Sequence, residues 1–240
     1  MSSHLYRDCA VVLRTYRLGE ADRIVVLLTE HHGKVRAVAK GVRKTKSRFG
    51  ARLEPMSHVN LLLAKGRELD IVSQADSVAS LAPLVGDLDH LTNGMAVLEA
   101  IDQMTLDREP APHLYRMLVG ALRTIAERSG PLVVPAFYWK LLAAEGVRPQ
   151  LDACVRCGES DAPLVAFDLD EGGVLCRQCR SGTAISPDAL ALMRLVLGGR
   201  LNDALAVPAS PATHEVATLA TKALEHHIER RLRTVAMFEH

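Results

Sequence analysis

Apolar residues recur with a period of two along the first 80 positions and with a period near 3.6 beyond them, so the chain passes from strands to helices. Five runs rich in Val, Leu and Ile, at about 9–17, 23–29, 34–40, 59–64 and 69–75, are bounded by turn residues and predict five strands. His32-Gly33 predicts a short hairpin between the second and third, because glycine accepts the positive φ such turns need. In the third strand Val35, Ala37 and Ala39 share one face and Lys34, Arg36 and Lys40 the other, with Val38 the exception. Five short strands with a longer connection after the third favour a small barrel of the OB type; a five-stranded SH3-like barrel fits the spacing nearly as well.

Past residue 80, Leu91, Met95, Leu98 with Val97, Ile101 and Met104 mark one helix, and Leu114, Met117, Leu118, Ala121, Leu122 and Ile125 another, with Pro110 and Pro112 between them. Gly130-Pro131 precedes a third, with Val134, Phe137, Tyr138, Leu141 and Leu142 on its buried side, and Gly146 to Pro149 ends it. Ser186-Pro187 and Ser210-Pro211 each set a capping residue before proline at the first helical position, predicting helices at about 187–198 and 211–233. Arg230, Arg231 and Arg233 would then close the last helix at the negative end of its dipole.

The formal charge of +1 conceals a division: residues 1–80 sum to +6 and residues 81–240 to −5. From Lys34 to Arg52 there are eight basic residues (Lys34, Arg36, Lys40, Arg43, Lys44, Lys46, Arg48 and Arg52) and no acidic one. A run of charge is often only a solvated face, but on one strand of a small barrel and its exit loop it points to a polyanion, foremost nucleic acid. The first 80 residues hold few aromatics (Tyr6, Tyr16 and Phe49), so affinity is expected to come from phosphates, blind to sequence and sensitive to salt. No stretch approaches the ~18 apolar residues of a membrane span, and Arg7 and Asp8 precede the first apolar run, so a soluble, cytoplasmic protein is expected.

Four of five cysteines form two C-x-x-C pairs, Cys154/Cys157 and Cys176/Cys179, separated by eighteen residues. That spacing, in a chain with an odd cysteine count, suits a metal knuckle pair in a reducing compartment better than disulfides. Each knuckle aims two sulfurs at one point, and two knuckles complete a tetrahedron for one structural Zn²⁺ with no open position for catalysis. Leu164 to Asp168 and Val174-Leu175, joined by Glu171-Gly172-Gly173, predict the hairpin that brings the pairs together.

Catalytic readings fail on order or composition. A zinc deaminase needs H-x-E upstream and proline before its cysteine pair, whereas Ala153 and Leu175 stand there and His227-Ile228-Glu229 lies downstream. His214-Glu215 lacks the second histidine of a zinc protease, position 218 being Thr. The sequence holds no phosphate-binding glycine loop and no nucleophile elbow. Cys9 is expected in the core of the first strand, and His31-His32 and His226-His227 on a turn and a helix surface.

The stretch from Glu20 to Arg43, EADRIVVLLTEHHGKVRAVAKGVR, followed by Ser47 to Pro55, SRFGARLEP, resembles the amino-terminal domain of the bacterial RecO family of DNA repair proteins. The order of parts agrees along nearly the whole chain. The resemblance implies an α+β protein: an OB-fold DNA-binding domain at 1–80, a helical domain at 81–150 and 184–240, and a zinc-binding insertion at 151–183. It implies a non-enzymatic mediator of recombination that binds single- and double-stranded DNA and anneals complementary strands. With RecR, such a protein loads recombinase on DNA coated by single-strand-binding protein, whose acidic-hydrophobic tail it engages. The DNA role falls on Lys40, Arg43, Lys44, Lys46, Arg48 and Arg52, and the metal role on the paired cysteines. The rival of another class is a zinc-ribbon scaffold whose basic loop contacts RNA or the transcription machinery.

Overall fold

The computed structural model describes residues 4–44, 47–80, 82–232 and 234. They form two compact units, one holding the chain through Glu127 and the other Arg128–Leu232.

In the first unit, β1 (Leu5–Leu18), β2 (Asp22–Thr29), β3 (Gly33–Ala39), β4 (His58–Ala64) and β5 (Asp70–Ser77) close a barrel in the order β1-β2-β3-β5-β4. β1 pairs with both β2 and β4, and β3 runs parallel to β5. That closure matches the OB type and decides against the SH3-like alternative. Ala10, Val12, Val25, Leu27, Ala37 and Ala39 point into the barrel, together with Phe49 and Leu53 from the connection after β3. The basic connection is thus pinned by two apolar side chains inside the barrel, one on each side of Gly50.

Val25, Val26, Leu27 and Leu28 are all buried, which a half-solvated strand would not allow. The second buried face arises because α2 (Leu88–Met104) and α3 (Pro112–Glu127), preceded by the short α1 (Ala82–Val85), pack on the outside of the barrel. Two glycines permit these approaches. Gly33, at φ 69° in the β2–β3 hairpin, lies so close to Glu109 that a Cβ would fall 2.0 Å from its carbonyl oxygen. Gly94, inside α2, makes room for Met56, whose Sδ would be 2.2 Å from an added Cβ.

The second unit contains α4 (Val133–Ala144), β6 (Leu164–Asp168), β7 (Gly173–Cys176), β8 (Thr183–Ala184), α5 (Pro187–Leu197), α6 (Leu201–Leu205) and α7 (Pro211–His227). α4 is buried nearly all round, Pro135 and Trp139 included, so its burial is broader than one face and Val134 is the side left partly exposed. Ser186 and Ser210 cap α5 and α7 as expected, accepting from the main-chain N–H of Ala189 and Thr213. The last helix ends sooner than its periodicity suggested: Ile228 caps it, Glu229 turns to φ 51°, and Arg230 donates its N–H back to Glu225. Arg230 and Arg231 therefore follow the helix instead of closing it, His226 and His227 occupy its last turn, and Arg233 lies outside the described residues. The boundary between units falls at Glu127/Arg128, because α2 and α3 belong with the barrel they cover, whereas the change of hydrophobic period falls near residue 80.

Candidate nucleic-acid interface and metal centre

The connection from Lys40 to Arg52 is shaped by main-chain bonds. Gly41, at φ 67°, donates its N–H to Asp22 Oδ1 at 2.7 Å, and the Arg43 N–H reaches the Ala21 carbonyl at 3.0 Å. The Arg43 guanidinium donates to the carbonyls of Glu20 (2.9 Å) and Gly19 (3.3 Å), and that of Arg52 to Arg48 (3.1 Å) and Phe49 (3.3 Å). Neutral carbonyls fix these guanidiniums without cancelling their charge. Arg48 lies 4.8 Å above the buried Phe49 ring. Arg36, Lys40, Arg43, Lys44, Arg48 and Arg52 are all exposed, and none of the six faces a carboxylate among the described residues. Lys46 lies outside the described residues.

Lys34 departs from the expected set. Its side chain is buried, donating to the Asp102 carbonyl at 2.7 Å with the Asp102 carboxylate at 3.3 Å, and Arg14 binds the same carboxylate at 2.7 Å. Strand alternation puts Lys34 on the outer face, but α2 covers that part of the face, so this charge holds the helix to the barrel. Other exposed cations stand apart from the basic run and so carry no signal as a cluster in the sequence: Arg17 on β1, and Lys65 and Arg67 in the β4–β5 turn. That turn is held by buried Asp70, which accepts from the Gly66 N–H (3.0 Å), from Arg108 (2.9 Å) and from the Tyr6 hydroxyl.

On β1 itself a buried carboxylate meets two imidazoles from the β2–β3 turn. Asp8 Oδ1 is 3.0 Å from His31 Nδ1, Asp8 Oδ2 pairs with His32 Nδ1 at 2.5 Å, and the His31 N–H adds a third bond at 3.2 Å. Burial alone would raise the Asp8 carboxyl, but the bonds from His32 and His31 outweigh it and hold it below the usual carboxylate range. The same carboxylate raises His31 above an ordinary imidazole. Cys9 was expected in the core. It is partly exposed on the outer side of β1, with its thiol 2.8 Å from Asn60 Oδ1, because Asp8 and Ala10 take the buried positions on either side.

In the second unit, the hairpin β6–β7 brings all four paired cysteines together, their Sγ atoms within 4.8 Å of one another. Cys157 and Cys176 Sγ are 3.8 Å apart, matching the edge of a sulfur tetrahedron about a metal at roughly 2.3 Å. The donor set therefore fits a four-coordinate ion and leaves no open position. In the first knuckle the Gly158 N–H donates to the Cys154 carbonyl at 2.8 Å, a turn that Gly158 closes at φ 76°. Burial opposes ionisation of Cys154, yet main-chain bonds from Cys176, Cys157 and Arg156 bring its thiol down to about 6. The bond to Cys157, with burial, pushes the Cys179 thiol up to about 12, so without a cation the four do not ionise together. Arg156 ties the knuckles: it donates to the Cys179 carbonyl (2.8 Å) and Ser181 Oγ (3.0 Å) and pairs with Glu171. Trp139 of α4 meets Phe167 of β6 edge to face, centroids 5.7 Å apart, joining the metal hairpin to the helices.

Trp139 and Phe167 also floor a cavity of about 360 Å³, bordered by Leu142, Arg148 and His227 with Asp170 and Glu171. No described helix is long and apolar enough to cross a membrane.

Residues 1–81 match the family described as Recombination protein O N terminal, and residues 85–236 the family described as Recombination protein O C terminal. The join between the two matches falls where the chain passes from β5 to the first helices.

Proposed function

Since this chain belongs to the recombination protein O family, whose two domains it carries in order along nearly its whole length, its role is in DNA repair and recombination, and we propose that it is a non-enzymatic mediator that binds and anneals DNA strands. The reading rests on one observation above all: Arg36, Lys40, Arg43, Lys44, Arg48 and Arg52 stand exposed on one strand and its exit loop with no carboxylate opposite them among the described residues. Lys46 joins the proposed set from the sequence alone.

Two complementary strands repel through their phosphates. A fixed cationic surface lowers that barrier by taking the place of counterions, and carbonyl-anchored guanidiniums do so without collapsing onto protein carboxylates. Both single strands and duplexes carry the phosphates such a surface needs. Four to six cations in contact would give a log–log salt slope of roughly −3 to −4 on single strands.

The ion held by the four cysteines is a structural Zn²⁺ in this reading, since a closed set of thiolates supplies folding energy and no reactive position. RecR and the tail of single-strand-binding protein are the partners, acting in the cytoplasm at the nucleoid. The cavity over Trp139 and Phe167 suits the hydrophobic end of such a tail, with Arg148 and His227 beside it; Asp170 and Glu171 make its apolar floor, more than its charge, the attraction.

The test is annealing of labelled complementary oligonucleotides, with and without single-strand-binding protein. Faster pairing by the protein, lost in Lys40→Glu/Lys44→Glu with the fold intact, supports the reading. No acceleration, or full acceleration by the variant, refutes it and favours a zinc-ribbon scaffold for RNA or the transcription machinery.

A further inference from the structure

Where α3 packs on the barrel, its inner stripe runs through Tyr115, Val119 and Leu122 and ends on Ala126. Opposite that end, the chain leaving β5 contributes only Ala79 and Ser80. Three small side chains therefore meet, and they leave a cavity of about 270 Å³ bounded by Val11 and His58 of the barrel and Leu84 of α1. Met56 is the one unbranched apolar side chain on its wall, and it is already committed. Its backbone is held at φ 68° by two main-chain bonds of 2.9 Å, Met56 N–H to the Val12 carbonyl and Val12 N–H to the Ser57 carbonyl. Its thioether lies in the notch that Gly94 leaves on α2. The close packing of the seam between barrel and helices stops short at this point.

The lining defines what would fill it. No carboxylate is among the described residues that border the cavity, and Arg123 is its one guanidinium. Arg123 is exposed and pairs with no carboxylate among the described residues. His58 is half-buried with Nε2 2.8 Å from the Tyr115 hydroxyl, and burial holds its imidazole below the ordinary value, so it is neutral at neutral pH. An apolar hole with one unpaired guanidinium at its edge fits an apolar body that ends in a single anion, and the fork of guanidinium donors matches a carboxylate. At about 30 Å³ per group, the share of one water in the liquid, the cavity holds about nine non-hydrogen groups. That admits a short chain, whereas a helix of another protein is about 10 Å across.

We propose that this cavity binds a linear apolar carboxylate of about eight carbons, with its chain against Val11, Met56, Leu84 and Leu122 and its carboxylate on Arg123. The site is separate from the proposed DNA contacts, since of the run from Lys34 to Arg52 no cation borders it. Bound there, the chain fills the gap between α3 and the barrel and raises the thermal midpoint in proportion to its occupancy.

The experiment titrates octanoate into the full chain by calorimetry, beside butanoate, which keeps the charge, and octanol, which keeps the chain. Octanoate is expected to bind one per protein and butanoate at least about tenfold more weakly, each buried CH₂ being worth about fourfold. Octanol is expected to bind about tenfold more weakly than octanoate, the loss of one charged hydrogen bond. Arg123→Gln, at an exposed position, should bring octanoate down to the affinity of octanol and leave octanol within about twofold. Ala126→Leu should abolish binding of both by filling the cavity. Val119→Phe does the same from the middle of α3 if Ala126→Leu does not fold, circular dichroism deciding which is used. Absence of octanoate binding to the wild type overturns the proposal and leaves a dry packing void. Unchanged octanoate affinity in the folded cavity-filling variant overturns it too, as does a preference for octanoate over octanol that survives Arg123→Gln. A short peptide ending in leucine that displaces octanoate and binds more tightly would assign the cavity to a protein partner instead.

Discussion

The ammonium of Lys34 donates to the main-chain oxygen of Asp102 at 2.7 Å and stands 3.3 Å from its carboxylate, so the lysine that opens the basic run is consumed in fastening α2 to the barrel. Its exposed neighbour Arg36, two residues on, has no such partner among the described residues. The two should therefore separate stability from binding. Lys34→Met leaves Asp102 with Arg14 alone and should cost about 1–3 kcal/mol in urea unfolding, less than the loss of a sole partner. Its DNA affinity should stay within about twofold of wild type, while Arg36→Met should weaken binding and leave the unfolding midpoint in place.

Salt dependence counts the cations in contact. Lys40→Gln and Lys44→Gln should each flatten the log–log slope on single strands by about 0.7 without moving the thermal midpoint. Arg43→Gln should flatten the slope by a similar amount and also loosen the loop, since its guanidinium holds the carbonyls of Glu20 and Gly19. Titrations at several salt concentrations, beside proteolysis of the loop, distinguish the two behaviours.

Much of this was legible in the sequence where a local rule governs: strand alternation, Ser-Pro helix starts and cysteine spacing each specify geometry within a few residues. What stayed hidden depends on distant parts of the chain. Lys34 reads as an outer-face cation until Asp102, 68 residues on, takes its charge. Val38 reads as a flaw in the alternation until β1, β2 and β5 align Tyr16, Ile24 and Ile71 with it. Cys9 reads as core because apolar residues follow it, and only the pairing of β1 with β4 puts its thiol against Asn60. Arg230 and Arg231 read as helix because nothing in composition marks the reversal at Glu229, a non-glycine residue at φ 51°.

The Asp8 carboxylate and its two imidazoles give the barrel a pH signature with opposite arms. Asp8 titrates below its ordinary range, so its stabilising contribution is present above about pH 4 and fades as pH falls through the lowered value. His31 titrates above its ordinary range, so its contribution is complete below about pH 6.5 and is lost as pH rises through the raised value. His31→Gln should remove the alkaline arm, and Asp8→Asn both arms at the cost of a lower midpoint throughout. Thermal unfolding of the three proteins across pH provides the measurement; an unchanged alkaline arm in His31→Gln would assign it to another group.

Arg156 donates to the carbonyl of Cys179, so the first knuckle holds the second through a side chain that is not itself a ligand. Losing a ligand and losing this brace should then differ in degree. Cys157→Ser should release the ion from purified protein and unfold the hairpin, because a four-thiolate site contributes on the order of 10 kcal/mol to ordering its module. Arg156→Ala keeps all four sulfurs and should retain the ion at low chelator concentration, but with about 10- to 100-fold weaker affinity. Metal analysis after graded chelation reads both effects, and near-ultraviolet dichroism from Trp139, whose ring meets Phe167 of the hairpin, reports whether the second unit loosens in step with the loss. Full retention of metal by Cys157→Ser would remove that residue from the ligand set, and identical chelation curves for wild type and Arg156→Ala would remove the brace.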